Sequence, residues 1–276
     1  VEDILRAIVL GIVQGLTEFL PISSSGHLIL ARELFGWDFQ DDLTFDVALH
    51  MGTLFATLIY FRKEWQLMLR SLVALLPGRE VERIPSGPYN ARLFFLLVVA
   101  TIPTGIAGLA LDSWAEDELR EAVVVGFTLI FGGFFLLAAE WLGKRTRKIE
   151  DARLRDSLII GGAQALSLIP GVSRSGATIT AGLFDNFDRP DTARFSFLLA
   201  APAIAGAGLF KLTDAATGGV ASSDLPAMLA GTITSAIVGW LAIGLLLRFV
   251  QTRSYLPFVI YRFAVGIFTL IFLVSW

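Results

Sequence analysis

The sequence predicts an all-α polytopic membrane protein: six transmembrane helices and two re-entrant helical hairpins, arranged as inverted-topology repeats. Three observations predict it. Of 276 residues, 55% are hydrophobic and only 17% charged, whereas soluble domains carry about 25% charged residues. Two of the apolar runs are broken part-way by proline, glycine and clustered polar residues. The two halves of the chain resemble each other at a spacing of 150 residues.

A membrane-crossing helix takes roughly 20 mostly apolar residues. Six stretches read as such spans: Leu43–Phe61, Leu93–Leu111, Ala122–Trp141, Phe195–Leu212, Pro226–Leu247 and Tyr255–Trp276. Ile4–Leu34 does not, because Pro21, Ser23, Ser24, Ser25, Gly26 and His27 interrupt it. Leu158–Phe184 is interrupted in the same way by Pro170, Gly171, Ser173, Arg174, Ser175 and Gly176. Each has an apolar arm of about 15 residues, a polar break and a second short arm, lengths that suit a re-entrant hairpin better than a span. Irregular backbone at membrane depth is tolerated only where it is buried in protein or lines a wet cavity. Both breaks therefore predict a cavity.

The repeat follows from aligned stretches. "LGIVQGLTEFLP" (Leu10–Pro21) matches "IGGAQALSLIP" (Ile160–Pro170), with Gln14 on Gln164 and Thr17 on Ser167. The same shift sets Phe45–Arg62 beside Phe195–Leu212. Each half is then a broken hairpin followed by three spans, and an odd number of crossings inserts the second half upside down. The chain divides into a first repeat over 1–142, a basic cytoplasmic linker over 143–154 and a second repeat over 155–276, all one integral membrane domain. Loop charges agree. Arg62–Arg92 and Gly143–Asp156 are rich in Arg and Lys, while Asp112–Glu121 has only Arg120 and Thr213–Leu225 has none. The positive-inside rule makes the first pair cytoplasmic, which places both termini and the cavity mouth on the outer side and lets the hairpin tips meet near the middle.

The net charge of −3 points to no nucleic acid, and the absence of cysteine excludes disulfides, thiolate nucleophiles and zinc–thiolate sites. Val1–Arg6 lacks the basic start of a secretory signal.

The polar breaks carry the chemistry. An ionisable side chain near the bilayer centre costs about 2.5–3.5 kcal/mol on the lenient insertion scale, so Glu18, His27 and Arg174 are expected to face a cavity and to pair. A plain Glu18–Arg174 ion pair would lock the two repeats but leaves the surrounding hydroxyls unexplained. Ser23, Ser24 and Ser25 sit in one break, and Ser173, Ser175 and Thr178 in the other. Gly26, Gly171 and Gly176 let backbone approach a ligand. The second arm of each hairpin begins at its break, aiming a helix N-terminus, an anion-binding feature, into the cavity. Arg174 adds a fork of donors matched to phosphate oxygens. Arg, hydroxyls and helix N-termini inside lipid suggest a phosphate attached to something greasy. A serine beside a histidine or glutamate is an activated nucleophile, and histidine can itself accept a phosphoryl group. Gln14 shares a helix face with Glu18; it either joins the site or makes a helix–helix hydrogen bond. Glu18 could also hold a divalent cation.

Other polar residues read more plainly. His50 lies four residues after Asp46, within hydrogen-bonding reach on a helix. Glu140 and Arg262 lie near span ends, where snorkelling is the default. The phenylalanines at Phe94–Phe95 and Phe131–Phe135 suit lipid-facing or packed apolar surface.

"QGLTEFLPISSSGH" (Gln14–His27) and "PGVSRSGATIT" (Pro170–Thr180) resemble the two signature stretches of the bacterial undecaprenyl-diphosphate phosphatases of the bacitracin-resistance type. The similarity runs over essentially the whole chain, through "RFSFLLAAPA" and "LPFVIYRF". It implies an inner-membrane enzyme that hydrolyses undecaprenyl diphosphate to the monophosphate and phosphate, recycling the carrier lipid for cell-wall synthesis. It also implies a divalent cation, magnesium or calcium. The family's acidic motif falls on Gln14 and Glu18; with an amide at the first position, Glu18 is the motif's only carboxylate. Ser24 and His27 fall on the positions held to be catalytic, and Arg174 on the phosphate clamp. The nucleophile is then Ser24, with His27 as base and Glu18 orienting it, or His27 itself. Ser23, Ser25, Gly26, Ser173, Ser175, Gly176 and Thr178 complete the phosphate site. The expected partners are the lipid substrate and membrane lipids; a homodimer stays open. A transporter or flippase for the prenyl phosphate shares half-helices at the midplane and is the competing reading.

Overall fold

The computed structural model describes residues 2–37, 42–76, 87–218 and 225–273, with the side chains of 42–43, 112–117 and 210–218 left aside. Its order is α1 Glu2–Phe19, α2 Ser24–Phe35, α3 Asp42–Tyr60, α4 Arg62–Val73, α5 Ala91–Glu118, α6 Ala122–Leu142, α7 Leu154–Ala165, α8 Arg174–Phe184, α9 Arg189–Gly218, α10 Leu225–Phe249 and α11 Leu256–Phe272. Among the described residues, the only extended pairing is one bridge between Arg147 and Phe187.

Among the described residues, four helical stretches are long and apolar enough to cross a membrane: Ala91–Leu111, Ala122–Leu142, Arg189–Leu209 and Leu225–Phe249. A fifth is reached if Thr44–Tyr60 and Arg62–Val73, which meet at a 73° bend, count as one span. Leu256–Phe272 is apolar but shorter, and the last residues of the expected sixth span, 274–276, lie outside the described residues. The chain is thus an all-helical, multi-pass membrane protein. Its outward surface fits lipid: Phe95, Phe131, Phe134, Phe135, Ile106 and Leu109 are all exposed.

Three stretches expected as loops are partly helical. Arg62–Arg92 holds α4, whose Met68 is fully buried in the core. Asp112–Glu118 prolongs α5, and Thr213–Gly218 prolongs α9. Polar residues that leave the apolar span lose no backbone bonds by continuing the helix, so hydropathy misplaced these ends.

The broken runs do break. α1 ends at Phe19 and α2 starts at Ser24; α7 ends at Ala165, a 3-10 turn covers Leu166–Leu168, and α8 starts at Arg174. Neither long arm packs mainly on its own half. α1 lies against α10 and α7 against α5. Small residues make both approaches possible. A Cβ on Gly11 would stand 2.6 Å from the Gly231 carbonyl oxygen, and one on Gly161 would stand 2.2 Å from that of Ala100. α3 also packs on α9, and α6 on α11.

The linker is pinned by charge. Arg147 bonds both Asp156 and Asp185, the latter at 2.5 Å, and its guanidinium lies 4.5 Å from the Phe187 ring centre. Glu140 does not snorkel: it is 4% exposed and takes Arg189 (Nε, 2.7 Å) and Arg145 (3.1 Å) on one oxygen. Burial of its carboxylate is offset by two guanidiniums contributed by α9 and the linker.

Candidate active site

The two breaks turn on the same residue type. Ser23 and Ser173 take φ of 77° and 72°, a region that L-residues with a side chain rarely occupy. Each then caps the helix that follows, accepting the backbone N–H of Gly26 (3.3 Å) or Gly176 (3.0 Å) on its Oγ. Strained backbone of this kind costs about 1–3 kcal/mol and gathers at functional sites.

The tips touch. Ser175 Oγ donates to the Leu20 carbonyl at 3.0 Å, and a Cβ on Gly26 would lie 3.2 Å from Gly171 Cα. Arg174 Nη2 reaches Glu18 Oε1 at 2.6 Å. Glu18 is 5% exposed; its Oε2 accepts the Ser24 hydroxyl and, at 3.1 Å, the Gln14 amide. The expected pair of Glu18 and Arg174 is therefore formed, with Ser24 added to it. Arg174 Nη1 is buried and has no hydrogen-bond partner among the described residues.

A cavity of ≈ 260 Å³ opens at this meeting point. Glu18, Ser23, Ser24, Ser25, Ser173 and Arg174 line it, joined by His50, Asp46 and Arg120. Met51, Ala203 and Ile204 form part of its apolar wall.

Several expected site residues lie elsewhere. His27 is not brought to Ser24. Its Nδ1 donates to the Ser23 carbonyl (2.7 Å), and its Nε2 accepts from the Tyr261 hydroxyl (2.8 Å), the rings stacked 5.5 Å apart. A carbonyl only accepts, so that tautomer follows; with both nitrogens engaged, the ring faces α11. Gln14 is fully buried behind Glu18. Thr178 Oγ1 bonds Ser196 at 2.7 Å across α8 and α9, and Ser175 is spent on the Leu20 carbonyl. Gly26 and Gly176 do not line the cavity. Gly26 admits the opposite tip, and a Cβ on Gly176 would stand 2.9 Å from Arg262 Nη1.

Arg262 was misjudged as a snorkelling residue. It is fully buried. Its Nε donates to the Leu129 carbonyl (3.0 Å), Nη1 to those of Pro21 and Val172 (3.1 Å each), and Nη2 to those of Thr128 (3.1 Å), Gly171 and Val172 (3.2 Å each). One guanidinium thus holds both hairpin tips and α6. A charge seven residues into an apolar helix was the available signal; nearness to a span end hid it. His50 was half-seen. Its Nδ1 donates to the Asp46 backbone carbonyl at 2.8 Å, not to its carboxylate, and its Nε2 lies 3.6 Å from Glu18 Oε2. The Asp46 carboxylate is held by Arg32 (2.6 and 3.1 Å) and Arg120 (2.9 Å).

Fold and site together describe a multi-pass helical membrane protein with an arginine, a carboxylate and serines converging on an interior cavity. Comparison with known proteins makes the assignment specific. The family model for bacitracin resistance protein BacA matches residues 7–268, and the chain belongs to that family. Undecaprenyl-diphosphatase from Geobacter sulfurreducens is 46% identical, covering 96% of each chain. Those from Gemmatimonas aurantiaca and Hahella chejuensis are 46% and 45% identical, covering 95% and 98% of each chain.

Proposed function

We infer that the protein is an undecaprenyl-diphosphatase, hydrolysing undecaprenyl diphosphate to undecaprenyl phosphate and inorganic phosphate and so returning the carrier lipid to cell-wall synthesis. One observation carries the site reading: Arg174 spends Nη2 on Glu18 and leaves the buried Nη1 without a partner. A buried guanidinium donor without an acceptor is costly, and a phosphate oxygen is the acceptor it matches.

The terminal phosphate sits on Arg174, Ser173 and the first turn of α8. Ser24 Oγ attacks its phosphorus, and the bond to the bridging oxygen breaks, its electron pair leaving with the lipid monophosphate. The hydroxyl proton goes to Glu18 Oε2, which already accepts it. The departing lipid monophosphate takes that proton from Glu18; water then attacks the phosphoserine, giving one proton to Glu18, which passes it to the departing Oγ, while the other water proton stays on inorganic phosphate. Arg174 aligns base and phosphate at once. His27 serves as a positioning residue, tying the first turn of α2 to Tyr261.

The arrangement follows an inverted repeat: two re-entrant hairpins, each lodged against the opposite half, with α3, α5 and α6 answering to α9, α10 and α11. The hairpins with α3, α5, α6, α9, α10 and α11 make six spans and two half-helix pairs. Arg120 stands on the base-poor turn between α5 and α6 and lines the cavity. Under the positive-inside rule this opens the site to the outer leaflet of the inner membrane, from which the lipid enters laterally.

The residues do not fit a resident divalent cation. Such an ion takes about six oxygen ligands. Among the described residues no three His, Cys, Asp or Glu side chains gather, and Glu18 is engaged by Arg174 and Ser24. Magnesium or calcium would arrive as the counter-ion of the diphosphate, with Glu18 the motif's carboxylate nearest to hand.

Phosphate release from detergent-solubilised prenyl diphosphate tests the function. The wild type is expected to turn over and Arg174→Ala to fail. Equal rates in the two would sink the site; no release from either would favour a carrier of the prenyl phosphate. Trapping the phosphoenzyme decides the nucleophile, since phosphate on His27 excludes Ser24.

A further inference from the structure

We propose that Arg120 forms a second phosphate subsite, holding the lipid-linked phosphate while Arg174 holds the terminal one. The proposal rests on the reading above that a prenyl diphosphate enters this cavity.

The two arginines reach the cavity from unrelated parts of the fold. Arg174 comes from the tip between α7 and α8, and Arg120 from the turn between α5 and α6. Both line the same ≈ 260 Å³ space. Arg120 is held by one point: its Nη2 donates to Asp46 Oδ2 at 2.9 Å. Asp46 is meanwhile gripped by Arg32 through both oxygens, at 2.6 and 3.1 Å. It therefore anchors Arg120 without absorbing the fork, which carries five donors. The Arg120 side chain is 28% exposed against 14% for Arg174 and lines the cavity, so its remaining donors are open to a ligand. The guanidiniums of Arg262 and Arg147, by contrast, are consumed by the fold: Arg262 by carbonyls, and Arg147 by Asp156 and Asp185. Arg120 is not.

The chemistry of the substrate fits two such centres. A diphosphate ester carries negative charge on the oxygens of both phosphates, and planar forks at two points recognise it better than one. The more exposed Arg120 suits the lipid-linked phosphate, because the terminal phosphate must reach Ser24 beside the buried Glu18 and the less exposed Arg174. Discrimination follows. A monophosphate engages one fork only, so the lipid product is held more weakly than the substrate.

Inorganic diphosphate and inorganic phosphate are the probes, titrated calorimetrically against purified full-length protein. Alongside, KM and kcat are measured with prenyl diphosphate for wild type, Arg120→Gln and Arg120→Lys. Arg120→Gln is expected to weaken diphosphate binding and raise KM by about ten- to a hundredfold, with phosphate binding and kcat changed less than about threefold. Arg120→Lys should recover part of the loss. Asp46→Asn, which releases Arg120 from its anchor, should not reproduce the Arg120→Gln loss of diphosphate binding; a purely structural clasp predicts that it does. Unchanged diphosphate binding in Arg120→Gln overturns the proposal. So does an equal loss for phosphate and diphosphate, which would mean a general field. Because binding is read without turnover, these outcomes stay distinct from a wild type that releases no phosphate, which would overturn the functional reading instead.

Discussion

At Ser23 and at Ser173, 150 residues apart, the backbone makes the same turn, with φ of 77° and 72°. The same cap follows, and so does the same seryl neighbour, Ser25 at 3.4 Å and Ser175 at 3.2 Å. The side chains beside the turns differ. In the first break Glu18 and Ser24 approach the cavity; in the second, Leu168 stands there with Arg174. The approach differs too. α1 stays α-helical to Phe19, whereas α7 tightens into the 3-10 turn Leu166–Leu168. A 3-10 turn rises about 2.0 Å per residue against about 1.5 Å in an α-helix, so the turn makes up about the rise of the one residue that the second stretch lacks before its proline. The comparison teaches that the backbone device is duplicated while the chemistry is divided. One copy supplies the carboxylate and the hydroxyl bonded to it, the other the cation. Neither is a site alone.

The division can be broken most severely at the cation. Arg174→Ala removes the phosphate clamp and leaves Glu18 buried and unpaired, and phosphate release should fall by about 10³-fold or more. Next come the serines. Ser24→Ala should cost about 10³-fold in kcat and abolish phosphoenzyme, whereas Ser175→Ala, in the other copy, should cost less than about tenfold, since it loses only neutral hydrogen bonds, to the Leu20 carbonyl and Ser173. Steady-state kinetics on the pair measures the asymmetry directly.

Arg262→Met tests what the copies share. It strips donors from the Pro21, Gly171 and Val172 carbonyls together, and unfolding should show a loss of more than about 3 kcal/mol. The smallest effect sharpens the likeness. Ser23→Gly and Ser173→Gly each relieve the positive φ and lose the cap, and their changes in stability should agree within about 0.5 kcal/mol. A large difference in unfolding midpoint between them would show that the turns are alike only in shape.

The polar ends of the molecule show how far charge patterns in sequence can be trusted. Arg145 and Arg147 were legible as part of a basic linker and Glu140 as a span-end residue, but not the clasps they form, Glu140 with Arg145 and Arg189, and Arg147 with Asp156 and Asp185. A loop of arginines predicts which side of a membrane it occupies, whereas ion pairing depends on which helices converge. His27 and Ser24 make the same point inside the site. Three residues apart, they looked like a nucleophile and its base, yet the ring's Nδ1 returns to the Ser23 carbonyl and its Nε2 meets Tyr261, 234 residues away. His50, read only as a partner for Asp46, places its Nε2 3.6 Å from Glu18 Oε2.

By itself, the sequence determined the helical membrane class, the two interrupted runs, the spacing of 150 and the polar residue types clustered at the two breaks. These are local or periodic properties: apolar length, helix-breaking residues and chemical type are carried by neighbours in the chain. Only the tertiary structure decided which polar groups share the cavity. Glu18 and Arg174 meet across 156 positions, Arg120 reaches the cavity from a separate turn, and Arg262 joins both tips from the far end of the chain. In lipid a buried polar group must find a partner inside the protein, and which partner it finds is set by how α1 lies on α10 and α7 on α5. That packing depends on close approach at Gly11 and Gly161 and has no signature in any single stretch of sequence.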